Sequence, residues 1–82
     1  MATDESSNSR IVDLKDVIDT KARQLRAMLE LTWGEETNGE TFRSMSADLQ
    51  DTYMWACSDM ARDIVNALEG IYELQKQERS HV

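Results

Sequence analysis

Proline is absent from this chain, and glycine occurs only at Gly34, Gly39 and Gly70, so the strongest helix breakers are missing from nearly its whole length. Long helices are therefore permitted, and the spacing of apolar residues asks for them. Ile11, Leu14, Ile18, Ala22, Leu25 and Leu29 recur every three or four positions, which at 3.6 residues per turn places them on one stripe. A second stripe runs through Leu49, Tyr53, Cys57, Met60, Ile64, Leu68 and Ile71. Strand-like alternation appears in neither. These spacings predict one helix over residues 9–32 and another over 47–77, with 1–8 and 78–82 as frayed tails around a single domain.

Charge order supports the same limits, because acids favour the N-terminal end of a helix dipole and bases the C-terminal end. Asp13, Asp16 and Asp19 precede Lys21, Arg23 and Arg26 in the first helix; Asp48 and Asp51 open the second, and Lys76 and Arg79 close it. Ser46 is placed to cap the second helix, and Gly34 to end the first in a left-handed turn. Asn38-Gly39 signals a tight turn, and Phe42 and Met45, three apart, suit a single helical turn within the connector. Trp33 is expected to plug the turn beneath that pair. Gly70 interrupts a running stripe, which marks either close approach of another helix, together with Ala67, or a stop or bend that leaves residues 71–77 as a separate turn. The fold class that follows is all-α: an antiparallel helical hairpin with a short helical turn in its connector.

One hairpin of 82 residues has a thin core, and its apolar arcs are wider than a simple pair requires. Val17, Met28 and Leu31 flank the first stripe, and Met54, Ala61, Val65 and Tyr72 flank the second. Leaving five such side chains in water forgoes several kcal/mol, at about 1.5–3 kcal/mol each, comparable with the roughly 5 kcal/mol that stabilises a small domain. Self-association is the economical answer, commonly a two-fold dimer of hairpins forming a four-helix bundle. The residues expected in that dimer or hairpin core are Ile11, Leu14, Ile18, Leu25, Leu29, Tyr53, Met60, Ile64, Leu68 and Ile71. The competing reading is that a different protein supplies the missing surface.

The formal charge of −7, from sixteen acids and nine bases, repels nucleic-acid phosphates and anionic membranes. No signal-like or membrane-spanning apolar run occurs, and one cysteine excludes an internal disulfide and fits a reducing cytoplasm. Cys57 and His81 do not make a nucleophile with its base or a metal site: the cysteine sits on an apolar stripe and a third ligand is lacking. Glu35, Glu36 and Glu40 lack the order of a calcium loop and read as a solvated acidic turn, and no phosphate-binding or nucleophile-elbow motif occurs. Asp59 with Asp63 and Glu69 with Glu73 read as surface charge rather than an acid–base pair. No catalytic, cofactor or metal residue is assigned.

Trp55 is the anomaly. It falls opposite the Tyr53–Met60–Ile64 stripe, among Asp48, Asp51, Asp59 and Arg62, which is the composition of a protein-binding hot spot. The alternatives are that the connector or the N-terminal stretch covers it, or that it is a lone exposed aromatic. Met54, Trp55, Arg62, Val65 and Tyr72 are the expected partner-binding residues. The expected function is that of a small acidic, non-catalytic regulator or inhibitor of bacterial or phage type that occupies a surface of a target protein. Net −4 over residues 47–82 would steer it toward a basic target. An assembly subunit of a larger complex, or an antitoxin-like protein neutralising a basic partner, are the alternatives.

Overall fold

A computed structural model describes residues 2–33 and 39–80, the side chains of 2–7 and of Ser80 excepted. Three helices follow one another: α1 (Ala2–Trp33), the single turn α2 (Glu40–Arg43) and α3 (Ala47–Ser80). The chain is all-α, and α1 and α3 pack along each other as an antiparallel hairpin 55 × 23 × 16 Å in extent. Both long helices overrun the limits set by periodicity. Nothing in residues 2–8 or 78–80 terminates a helix, since neither stretch contains Gly or Pro.

The packing seam has a stricter rhythm than the apolar residues alone suggest. On α1 the half-buried residues are Ile11, Leu14, Ile18, Lys21, Leu25, Met28 and Thr32, steps of three and four in strict alternation. On α3 the same alternation runs Gln50, Tyr53, Cys57, Met60, Ile64, Ala67, Ile71 and Leu74. A 3.5-residue repeat keeps one line of each helix facing its neighbour, as in a coiled coil. Two of the residues expected in the dimer or hairpin core stand off this seam. Leu29 and Leu68 lie one step off the seam and are 42% and 37% exposed, and Ala22 and Leu49 are displaced in the same way. Lys21, Met28 and Thr32 hold the seam on α1, and Ala67 and Leu74 are buried on α3. Choosing the apolar neighbour at 22 and 29 breaks the alternation, whereas backbone geometry keeps it regardless of polarity.

Small residues let the helices approach. α3 runs unbroken through Gly70, where an added Cβ would lie 3.1 Å from a Leu14 methyl, so this glycine marks contact with α1 and not a bend. Ala67 beside it is 4% exposed. One heptad along, Lys21 Nζ reaches Asp63 Oδ2 at 3.7 Å, a salt bridge across one edge of the seam.

The turn end is organised by polar groups. Gly39 has φ 74°, in the left-handed region, and precedes α2. Ser46 caps α3: its Oγ accepts from the Leu49 N–H at 3.3 Å, and its carbonyl accepts the Gln50 N–H at 2.9 Å. The Gln50 side chain then ties the connector down, donating from Nε2 to the carbonyls of Phe42 at 3.0 Å and Met45 at 3.2 Å. Phe42 packs on Tyr53 with ring centroids 5.6 Å apart, and the Tyr53 hydroxyl donates to the Met28 carbonyl of α1. Trp33 takes no part as a plug. It is 83% exposed, and Phe42 packs on Tyr53 instead. Gly34, Glu35, Glu36 and Asn38 lie outside the described residues, as does His81.

Candidate protein-binding surface

The seam leaves a second set of apolar side chains uncovered. Only Cys57, Ala67, Ile71 and Leu74 form the buried apolar core of the described residues, and no described side chain is fully enclosed. Along α3 the row Met54, Ser58, Ala61, Val65, Leu68 and Tyr72 again alternates steps of four and three, next to the seam on its outer side. Met54, Val65 and Tyr72 are all exposed, so the structure sets three of the five expected partner residues on one line.

Trp55 stands apart from that line. It lies two residues from Tyr53 and two from Cys57, both of which face α1, and so points directly away from the hairpin. Its exposure of 69% shows that neither the connector nor α1 covers it among the described residues. Asp51 and Asp59 flank it one turn away on either side, and Arg62 lies a further turn along, held by an ion pair with Asp59. Trp55 and Arg62 therefore share one outward ridge, while Met54, Val65 and Tyr72 share the adjacent flank.

Sequence reasoning missed the contribution of α1 to this side of the molecule. Ala22, Leu25, Leu29 and Trp33 line an open groove of about 430 Å³ with Ile64 of α3, so the exposed row of α1 lies on the same side as that of α3. The opposite side is polar at its mouth, where Arg10, Asp13 and Glu73 surround Leu14, Gly70 and Leu74. The signal that finds the α1 row is the strict alternation itself: once Leu25 and Met28 are assigned to the seam, Ala22 and Leu29 fall beside it.

The remaining titratable groups have structural surroundings. Burial raises the proton affinity of the Cys57 thiol, and burial, with a smaller contribution from Cys57, does the same for the Tyr53 hydroxyl. Both groups sit in the seam, away from the exposed rows. Asp19 accepts from Arg23 Nε at 3.0 and 3.1 Å on the outside of α1, and Asp63 faces Lys21. Among the described residues no group of three or more acids, cysteines or histidines is arranged to hold a metal ion, and no helix is long and apolar enough to cross a membrane. No protein-family model, curated protein or solved structure matches this chain.

Proposed function

We propose that this chain is a small, acidic, non-catalytic regulator or inhibitor that acts in the cytoplasm by occupying a surface of another protein, and that it does so as a homodimer of hairpins forming a four-helix bundle. The observation that carries this reading is Trp55: a large aromatic side chain turned straight out from a rigid helix, ringed by Asp51, Asp59 and Arg62. Aromatic and Arg side chains on a preformed surface supply most of the energy at protein interfaces, and a rigid helix orders few groups on binding. The two titratable groups that burial shifts lie in the packing seam rather than in a cleft, which favours binding over acid–base chemistry. Seven acids against three bases over residues 47–82 give this helix the field to steer a basic partner.

The test is a photo-reactive phenylalanine analogue placed at position 55 in cells of the natural source, with cross-linked proteins identified by mass spectrometry. The purified target is then titrated with the parent chain, Trp55→Ala and Arg62→Ala. Loss of the Trp55 side chain is expected to weaken binding about ten-fold or more with helicity unchanged. Cross-links to no other protein, or target affinity unmoved by both substitutions, would remove the ridge as a binding surface.

A further inference from the structure

The exposed rows beside the seam have a property that a surface for an unrelated partner does not need: they are complementary to themselves when reversed. Axial levels follow from the hairpin. Leu14 meets Gly70 and Lys21 meets Asp63, so residues whose numbers sum to 84 lie at the same height. Ala22 of α1 and Ala61 of α3, whose numbers sum to 83, therefore lie within one residue of the same level, and both belong to the exposed rows. Reading the α1 row outward from Ala22, Asp19 mirrors Arg26, Lys15 mirrors Leu29 and Val12 mirrors Trp33. Reading α3 outward from Ala61, Met54 mirrors Leu68 and Ser58 mirrors Val65. Opposite charges thus mirror each other at Asp19 and Arg26, and apolar side chains at Val12 with Trp33 and at Met54 with Leu68.

We propose that the side of the hairpin carrying these rows is covered by a second copy of this chain, packed face to face with its turn at the opposite end, about a two-fold axis that passes at the level of Ala22 and Ala61. α1 then lies antiparallel on the partner's α1, and α3 on the partner's α3. Each Asp19 meets the partner subunit's Arg26, each Val12 the partner subunit's Trp33, and each Met54 the partner subunit's Leu68. The two small residues at the centre let the backbones approach where the rows cross.

Surface area agrees with an occupant of this size. The chain exposes 6477 Å², where a compact monomer of 9.4 kDa exposes about 5,000 Å². The excess, about 1,500 Å², exceeds the roughly 800 Å² per partner of a standard stable interface. Charge selects the orientation. Two hairpins packed with their turns at the same end would set Asp19 against the partner's Val65 and Arg26 against the partner's Ser58. Reversal replaces those mismatches with two symmetric Asp19–Arg26 pairs.

This inference rests on the dimeric part of the proposed function and assigns Met54, Val65 and Tyr72 to the second copy, leaving Trp55 and Arg62 outward for a target. The experiment uses the full chain with Cys57→Ala. Sedimentation equilibrium of the parent, Asp19→Arg, Arg26→Asp and the double exchange gives the dimer affinities, with circular dichroism confirming that each variant is helical. Each single reversal sets like charges together twice per dimer and is expected to raise the dimer Kd about ten-fold, while the double exchange returns it to within about three-fold of the parent. A nitroxide at Asn8→Cys then reports direction. Residue 8 is about fourteen positions from the axis, so reversed hairpins separate the two labels by roughly 45 Å, against about 20 Å for turns at the same end. A monomer at all concentrations overturns the proposal while leaving the Trp55 ridge to its own test. A dimer with the short label distance, or with no recovery in the double exchange, overturns the reversed arrangement.

Discussion

Replacing Gly39 by alanine tests whether the connector is clamped against α1 as the structure describes. Gly39 holds φ 74°, ψ 10°, and an added Cβ would overlap the Thr32 carbonyl oxygen and stand 3.3 Å from its carbon. The left-handed conformation alone costs an L-residue about 1–2 kcal/mol. The overlap adds to this, because the carbonyl belongs to the last turn of α1 and is backbone rather than the end of a flexible side chain. Relief requires the connector to back away from α1. The groups that resist are the Gln50 amide, which donates to the Phe42 and Met45 carbonyls, and Phe42 packed on Tyr53. Sacrificing one such hydrogen bond costs about 0.5–1.5 kcal/mol, for a total of about 1.5–3.5 kcal/mol. For a domain of this size that is a fall in Tm of roughly 6–28 °C. Far-UV circular dichroism melts and urea titrations would measure it, at one protein concentration because association would shift the midpoint. Gly39→Asn separates the contributions: asparagine tolerates positive φ but still carries the Cβ, so it should recover only the conformational share. A loss below about 0.5 kcal/mol for Gly39→Ala would refute the reasoning, since neither strain nor overlap of this kind is that small.

Gly70→Ala should go the other way. The atom it meets is a Leu14 methyl at 3.1 Å on a half-buried side chain able to turn, so the helix-propensity gain of up to about 1 kcal/mol outweighs a small shift, and the urea midpoint should rise. A clear fall would show Leu14 to be pinned. Tyr53→Phe removes the hydroxyl that α1 receives at the Met28 carbonyl and should lower stability by about 0.5–1.5 kcal/mol in the same titration, with helicity retained. Raised proton affinity of Cys57 and Tyr53 in the fold means that the unfolded chain ionises first as pH rises. Stability from these groups is fully present below about pH 9, the ordinary thiol value, and declines above it and again above pH 10; Cys57→Ala should remove the first decline. The thiol, 4% exposed, should react with an aromatic disulfide far more slowly in the native chain than in urea.

The features legible in the sequence are those fixed by local chemistry. The absence of Pro and the 3–4 spacing gave the long helices; Ser46 was placed to cap α3 because a hydroxyl at that position reaches the third amide; Gly39 marked the turn because no other residue takes positive φ as readily. What was not legible is fixed by the partner helix. Lys21 and Thr32 occupy the seam although they are polar, because the 3.5-residue repeat holds backbone positions and not residue types to the neighbour. Leu29 and Leu68, more apolar than either, stand outside it. Gln50 gives no sequence signal for bracing a connector, since its role depends on where the Phe42 and Met45 carbonyls come to rest. Of the candidate surface, the outward direction of Trp55 was readable from its offset against Tyr53 and Cys57, whereas the α1 side of the groove needed the correct seam.

Lys21 also limits which hairpin can form. A seam of repeated three-and-four steps admits slippage by whole heptads, each slip preserving the pattern of inward and outward residues. Lys21 breaks that degeneracy. In the observed register its ammonium meets Asp63 at the edge of the seam. Moving α3 by seven residues in one direction sets Ala56 at that height, and in the other Gly70, neither of which carries a carboxylate to meet the ammonium. A half-buried ammonium without its carboxylate is disfavoured, and the same slip would carry Gly70 away from Leu14, opposing that methyl with the far larger side chain of Asp63 or Gln77. Register is thus specified twice, by charge at Lys21 and by volume at Gly70, two turns apart on one side of the seam. Of the apolar stripes that define the fold class, Leu14 alone contributes to either device.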